Sequence, residues 1–393
     1  MSETKLVPVP EGAAGKSERV LSTMSQAELI RLRFAQHKLA VLALYLLAVL
    51  YFIAAFAEFF APYTREWRDL DHAYCPPQVV RFDLAHGLYV EAVKRHVDPI
   101  TFRKTYQREP DRAVPLSFFV RGEPYELWGF IPMERHFLGV DRDEYARAYP
   151  DDALLSAGKP VPTFYLLGAD KYGRDVLTRM IYGARISLSV GLVGIFCMFV
   201  LGISIGGVSG YVGGWLDTLI QRLIEILNAF PRLPLWLALA AALPGDWSPL
   251  RVYFSITILL SLLGWTHLAR VVRGKILSLR EEDYAMAARL LGASHGRVLF
   301  RHLLPGFTSH IIVTLTLSVP GMILGETSLS FLGLGLRPPI VSWGVMLQDC
   351  MDIKVVRFYP WLLLPILFIV LTVLCFNFLG DGLRDAADPY SSR

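Results

Sequence analysis

Few side chains in this 393-residue chain have the type and spacing that reaction or recognition demands, and they fall in two places. The first is Arg280 to Pro305, R-E-E-D-Y-A-M-A-A-R-L-L-G-A-S-H-G-R-V-L-F-R-H-L-L-P, a charged interlude between two long apolar runs. The second is Arg222, Glu225 and Asn228, inside an otherwise apolar run. Polar groups there are expensive in hydrocarbon and are expected to face a bundle interior or a water-filled path. Arg222 and Glu225 are three apart and can also simply neutralise each other, so pathway lining and structural pairing both stand. Neither place offers catalysis. The lysine nearest to a phosphate loop, Lys275 after Gly274, is followed by Ile276 and lacks the upstream glycine. No nucleophile elbow, zinc-binding helix motif or paired catalytic carboxylates emerge, and no metal or cofactor site is expected. Cys75, Cys197, Cys350 and Cys375 show no C-x-x-C spacing; Cys75 and Cys350 would both lie outside a membrane, where a bridge is conceivable.

The elements that must position these residues are read from composition. The chain is 53% hydrophobic and 19% charged, with mean hydropathy +0.41, which marks a polytopic membrane protein. Its net charge of +4 is modest, and no nucleic-acid partner is expected. Residues 1–38 read as a disordered cytoplasmic tail leading into a short amphipathic helix. Residues 39–61 form the first span, flanked by Arg31, Arg33 and Lys38 on the cytoplasmic side. Ala55-Phe56-Ala57 resembles a signal-peptidase site, but the run is longer than a signal-peptide core of roughly 7–15 residues, so a retained anchor is favoured. Residues 62–165 are polar and rich in aromatics and prolines. They read as a small α+β domain outside the membrane, with Leu116–Val120 and Tyr125–Phe130 as a short hairpin around Gly122 and Pro124.

Residues 166–393 hold the other five of six expected spans, with both termini inside. The second runs from Ile186 to about Gly207, preceded by an amphipathic surface helix on which Asp175 and Arg179, four apart, can pair. Gly202, Gly206, Gly210 and Gly214 repeat every four residues, a spacing that allows close helix contact in lipid. The third is Leu216 to about Leu243, the fourth about Val252 to Leu268, the fifth Phe307 to about Leu324, bent or broken at Pro320-Gly321, and the sixth Pro360 to Gly380.

The loop 280–305 reads as two short helices. Glu281, Glu282 and Asp283 suit a first turn, Gly292 a C-terminal stop, Ser294 an N-cap, and Pro305 an end. Ala285, Ala287 and Ala288 permit close approach, while Leu290, Leu291, Val298 and Leu299 give the hairpin something apolar to bury. A compact loop of this kind asks for a protein partner. It resembles the EAA loop of ATP-binding-cassette importer permeases: E-A-A, three residues, Gly, nine residues, I-x-L-P. Met286, Ala287, Ala288 and Gly292 occupy the first part, with Met286 in place of Glu. His302, Leu303, Leu304 and Pro305 occupy the second, with His302 in place of Ile. L-L-G-A-D-K-Y-G-R-D-V-L-T-R from Leu166, G-Y-V-G-G-W-L-D from Gly210 and L-S-F-L-G-L-G-L-R-P-P from Leu329 are similar to signatures of the dipeptide/oligopeptide/nickel branch, of the second permease subunit type.

That resemblance implies a transport subunit, not an enzyme, in a bacterial or archaeal plasma (inner) membrane. Its implied partners are a second homologous permease, two ATPase subunits that bind the ATP, an extracytoplasmic solute-binding protein and the lipid bilayer. It also implies that Tyr284, Met286, Ala287, Ala288, Arg289, Leu291, Gly292, Ala293, Arg297 and Pro305 couple the chain to the ATPase. Peptides are the expected solute, with oligosaccharides or another small solute as the alternative. A different class, an ion-gradient-driven transporter, is suggested by Arg222 and Glu225 but leaves the hairpin unexplained. A membrane-anchored enzyme lacks a recognisable site in its outer domain. That domain is expected to touch the binding protein or cap the outer mouth, with Tyr125, Trp128 and Phe130 as contact candidates.

Overall fold

A computed structural model describes residues 26–84, 87–97, 99–100, 104–150 and 163–387. The expected disordered tail, up to residue 25, lies outside them. Among the described residues five helices are long and apolar enough to cross a membrane, and one bent pair passes the same test when joined. Helix α1 (Gln26–Gln36) leads into α2 (Lys38–Ala55), which starts where the His37 ring accepts the Ala40 N–H at 3.1 Å. A single turn, Ala57–Phe60, follows it.

Between α2 and the next long helix lies an antiparallel sheet in the order β1 (Arg81–Asp83), β2 (Gly87–Val97), β3 (Lys104–Leu127), β4 (Ile131–Val140). Val90 pairs with Val114 and Leu116 with the half-buried Val140, and these positions meet Tyr145 of α3 (Arg142–Ala148) and Phe164. Leu116–Val120 and Tyr125–Leu127 are not the two arms of a hairpin, as expected, but parts of the one strand β3. Gly122 and Pro124 fall in a register shift between Arg121 and Tyr125, and the turn is instead Trp128-Gly129-Phe130. A bulge absorbs the glycine and proline that otherwise read as a turn.

Helix α4 (Val176–Val212) has 37 residues and α7 (Pro249–Leu279) has 31. At about 1.5 Å per residue they run roughly 55 and 46 Å, well beyond the ~30 Å of hydrocarbon, so both project from it. The expected surface helix before the second span is not a separate element: Val176 to Arg185 forms the first turns of α4 itself, which Asp175 caps by accepting the Thr178 N–H at 2.7 Å. Asp175 therefore does not pair with Arg179, whose guanidinium reaches Asp170 at 2.5 Å. The glycine spacing does what lipid packing asks of it at three of four positions. A Cβ on Gly206 would lie 2.4 Å from the Ala269 carbonyl oxygen, and Gly202 and Gly210 also abut α7, at Leu268 and Arg273. Gly214 has open space beside it and belongs to the turn.

The third span is not one straight helix. Helix α5 (Gly214–Ala229) and α6 (Arg232–Ala241) meet at 86° across Phe230-Pro231, where the proline holds the residue before it extended. In the hairpin after α7, α8 (Asp283–Leu290) gives way to a helical run from His295 that becomes α9 (Thr308–Phe331). Helix α9 continues through Pro320, so the expected break there is not realised. A short helix α10 (Trp343–Leu347) precedes α11 (Leu364–Ala387). Helices α2, α4, α9, α10 and α11 share the largest core, around Leu188, Ile323, Trp343 and Phe376. Cys75 and Cys350 are both free, so the conceivable bridge does not form.

Candidate functional site

The hairpin after α7 is held in shape by its own backbone. At the end of α8, the Ala293 N–H reaches the Ala288 carbonyl at 3.0 Å and the Gly292 N–H reaches Arg289 at 2.9 Å. This is the double bond of a Schellman stop, and it requires the left-handed φ of +78° found at Gly292. Nothing lies within 4 Å of a Cβ built on Gly292, so the glycine serves the backbone angle and not a packing contact. Ser294 then caps the next helical run, accepting the Arg297 N–H at 3.4 Å.

Two faces separate cleanly. Ala285, Ala288, Val298, Leu299 and Leu303 are buried against Ile203 of α4 and Leu268, Val272 and Ile276 of α7. A second anchor is Tyr211 at the end of α4. The Arg289 guanidinium lies 5.2 Å from its ring centre, and the His295 ring meets it edge-on with Nδ1 3.2 Å from the hydroxyl. Arg280 also donates to the Gly210 carbonyl at 3.2 Å. The other face is open. Tyr284, Met286, Ala287, Arg297 and Pro305 are exposed, and Leu290 and Leu291 are 89% and 88% exposed. Those two leucines were expected to be buried by the hairpin; the Schellman turn instead points both outward. Ala288 is inside and Ala293 half-buried, so these two shape the hairpin and do not present it.

The pathway candidates are placed differently from expectation. Arg222 and Glu225 form a 2.7 Å ion pair on the exposed side of α5, and Asn228, also exposed, accepts from the Thr266 hydroxyl at 3.3 Å. Arg222 and Glu225 point away from this chain's other helices, Asn228 reaches α7 only through that one bond, and Ile224 is the residue of this stretch packed inside. Of the outer-domain candidates, Tyr125 is buried and donates to the Arg135 carbonyl at 2.7 Å, while Trp128 and Phe130 are exposed at the β3–β4 turn.

Two clusters went unread in the sequence. Glu326 of α9 is fully buried and accepts from Ser330 at 2.8 Å and Ser342 at 2.7 Å, with the Ser187 hydroxyl at 3.4 Å. The rule that singled out Glu225, a carboxylate inside an apolar run, applies equally to Glu326. The other cluster is a clasp just before α4. Asp170 accepts the Tyr172 and Arg174 N–H groups at 2.8 and 3.0 Å and holds the Arg174 and Arg179 guanidiniums at 2.7 and 2.5 Å. Beside it, burial pushes the Asp175 carboxyl up to about 7, against the lowering effect of the Thr178 hydroxyl and N–H bonds.

Residues 199–392 match the family described as "Binding-protein-dependent transport system inner membrane component", and residues 25–77 match "N-terminal TM domain of oligopeptide transport permease C". The sheet falls between the two matches. The oligopeptide transport system permease protein OppC of Bacillus subtilis is 40% identical over 242 residues, 61% of this chain and 77% of the relative. The dipeptide transport system permease protein DppC of the same organism is 40% identical over 238 residues, 60% of this chain and 72% of the relative. A solved inward-facing structure of the MetNI methionine ABC transporter is similar with a TM-score of 0.41 and 16% identity, covering 53% of this chain and 95% of that one. An apolar, multi-helix chain with these matches belongs to the dipeptide/oligopeptide family of ATP-binding-cassette transporter permeases.

Proposed function

We propose that the chain forms half of the pathway by which an ATP-driven importer moves peptides across the inner membrane. It is a transport subunit and not an enzyme. Its hairpin docks a separate ATPase that binds the ATP, and the chain needs no cofactor of its own. The observation that carries this reading is the pair Leu290 and Leu291, held outward by a Schellman turn at the tip of a hairpin whose other face is packed on α4 and α7. Exposed leucines on a fixed backbone are what a cleft in another protein can receive without ordering cost. A peptide cargo is supported by the names of the relatives, oligopeptide and dipeptide transport permeases.

The assembly we infer contains a second permease, two ATPases and an extracytoplasmic binding protein. We read the bent pair α5–α6 as one span, and the five long apolar helices beside it support a count of six, with both termini on the hairpin side and residues 62–165, a small α+β insertion, on the other. Arg222 and Glu225 neutralise each other on an exposed face, which leaves the ion-gradient alternative with little to rest on. The test is uptake of a labelled oligopeptide into vesicles holding the complete importer. Uptake should require ATP and binding protein, and Leu290→Asp with Leu291→Asp should abolish it while releasing the ATPase on purification. ATPase retention with undiminished uptake would sink the docking role. Uptake of oligosaccharide but not peptide would sink the cargo.

A further inference from the structure

The tip of the β3–β4 hairpin is tied to the end of the first long apolar helix. Trp128 donates its indole N–H to the carbonyl of Ala55, the last residue of α2, at 2.8 Å. Its ring lies 5.2 Å from that of Phe56 and 6.1 Å from Phe130. The chain has turned out of α2 at this level, so the tip sits where a span ends. It is also apolar on its open side: Phe130 is 69% exposed, Phe118, Phe119 and Trp128 about half. Below them Phe52, on α2, is equally open.

The backbone of β3 is distorted in a way that enlarges this surface. Successive side chains of a strand alternate between faces. Phe118 pairs with Leu138 and Val120 with His136, while Phe119 has φ +58°, a genuine outlier for a bulky residue. Phe118 and Phe119 then both reach the ring of Phe137, at 5.4 and 5.8 Å, and Phe119 also meets Phe59 at 6.0 Å. Two consecutive phenylalanines thus share one side.

We infer that this aromatic patch is immersed in the outer boundary of the lipid bilayer, making the sheet a membrane-resting platform and not a free domain. Continuity points to lipid as the occupant. The patch extends, at the same depth marker, the open face of an apolar span that itself needs lipid, and aromatic rings with one polar edge suit that boundary. Trp128 offers that combination, its N–H satisfied by Ala55 and its ring open.

The test uses the assembled importer in nanodiscs whose phospholipids carry bromine near the headgroup or near the chain end. The emission lost in Trp128→Phe should be quenched about twofold more by the shallow bromines than by the deep ones, as expected of a residue at the interface. Phe130→Trp, which keeps the Ala55 bond, should add emission with the same preference. Emission from both positions that ignores brominated lipid would overturn the inference, whether water, the binding protein or a second permease covers the patch.

Discussion

The clasp around Asp170 and the hairpin are both dense motifs, yet they use their residues in opposite ways. Around Asp170 the polar motif side chains turn inward: Asp170, Asp175 and Arg179 are almost fully buried and bond to one another or to backbone. At the hairpin the distinctive residues turn outward, and the buried ones are small or aliphatic. A motif spent on internal bonds holds a shape; a motif left open on a rigid backbone meets something else. The two therefore call for opposite responses to mutation.

The largest effect is expected from Asp170→Ala. It strips the buried Arg179 of its ion pair with Asp170 and leaves the Tyr172 and Arg174 N–H groups without their acceptor, at a cost of about 3–5 kcal/mol. Thermal unfolding of the purified chain in detergent checks this; an unchanged midpoint would make the clasp decorative. Next comes a pH effect at Asp175. The fold prefers its neutral carboxyl, so folding takes up a proton between the ordinary value of 3.8 and about 7. Stability should accordingly fall as pH rises through that window. Asp175→Asn should flatten the decline relative to wild type in melts at pH 4, 5.5 and 7; parallel curves would contradict the assignment.

Gly292→Leu is expected to be milder for the fold, about 1–2 kcal/mol for a left-handed angle with no steric clash. Its main consequence should appear in coupling, as lost ATP-dependent uptake with the chain still folded. Normal uptake by a folded variant would mean that the turn tolerates another geometry. The smallest effect belongs to Arg222→Ala. Its partner pair is exposed, so the change should stay within about 1 kcal/mol and leave uptake intact in the absence of a role along the pathway. A severe uptake defect in a stable protein would restore the pathway reading.

How much of this was readable follows the physics of each element. The hairpin was legible because its signals are local: a glycine stop, a serine cap, small residues at helical spacing. What those signals do not carry is direction, so Leu290 and Leu291 were assigned to the wrong side. The glycine face was legible for the same reason, through a four-residue repeat, and failed only at Gly214, where the helix ends. The β3 strand misled because a bulge and a turn use the same residues, and only the partner strand tells them apart. Asp170 paired with Arg179 across nine positions, a distance at which helical spacing offers no guide. Glu326 needed no new rule, only its application to an apolar run that carries Ser330 one helical turn on and meets Ser342 and Ser187 from elsewhere in the chain.

The seam at Gly206 bears on how force could travel. With the α4 backbone resting on that of Ala269, the two helices cannot slide past each other at that level without steric collision. Helix α7 enters the hairpin directly, and α4 begins at the clasp, so a push on Leu290 reaches the opposite end of the molecule through one stiff strut. The strut can tilt but has no telescoping freedom. Its pivot must lie outside the seam, and the 86° elbow at Pro231 is one place outside it where the chain already changes direction. Spin labels on the exposed Val208 and Arg270 should therefore keep one separation throughout ATP turnover, while a label on α6 moves relative to both.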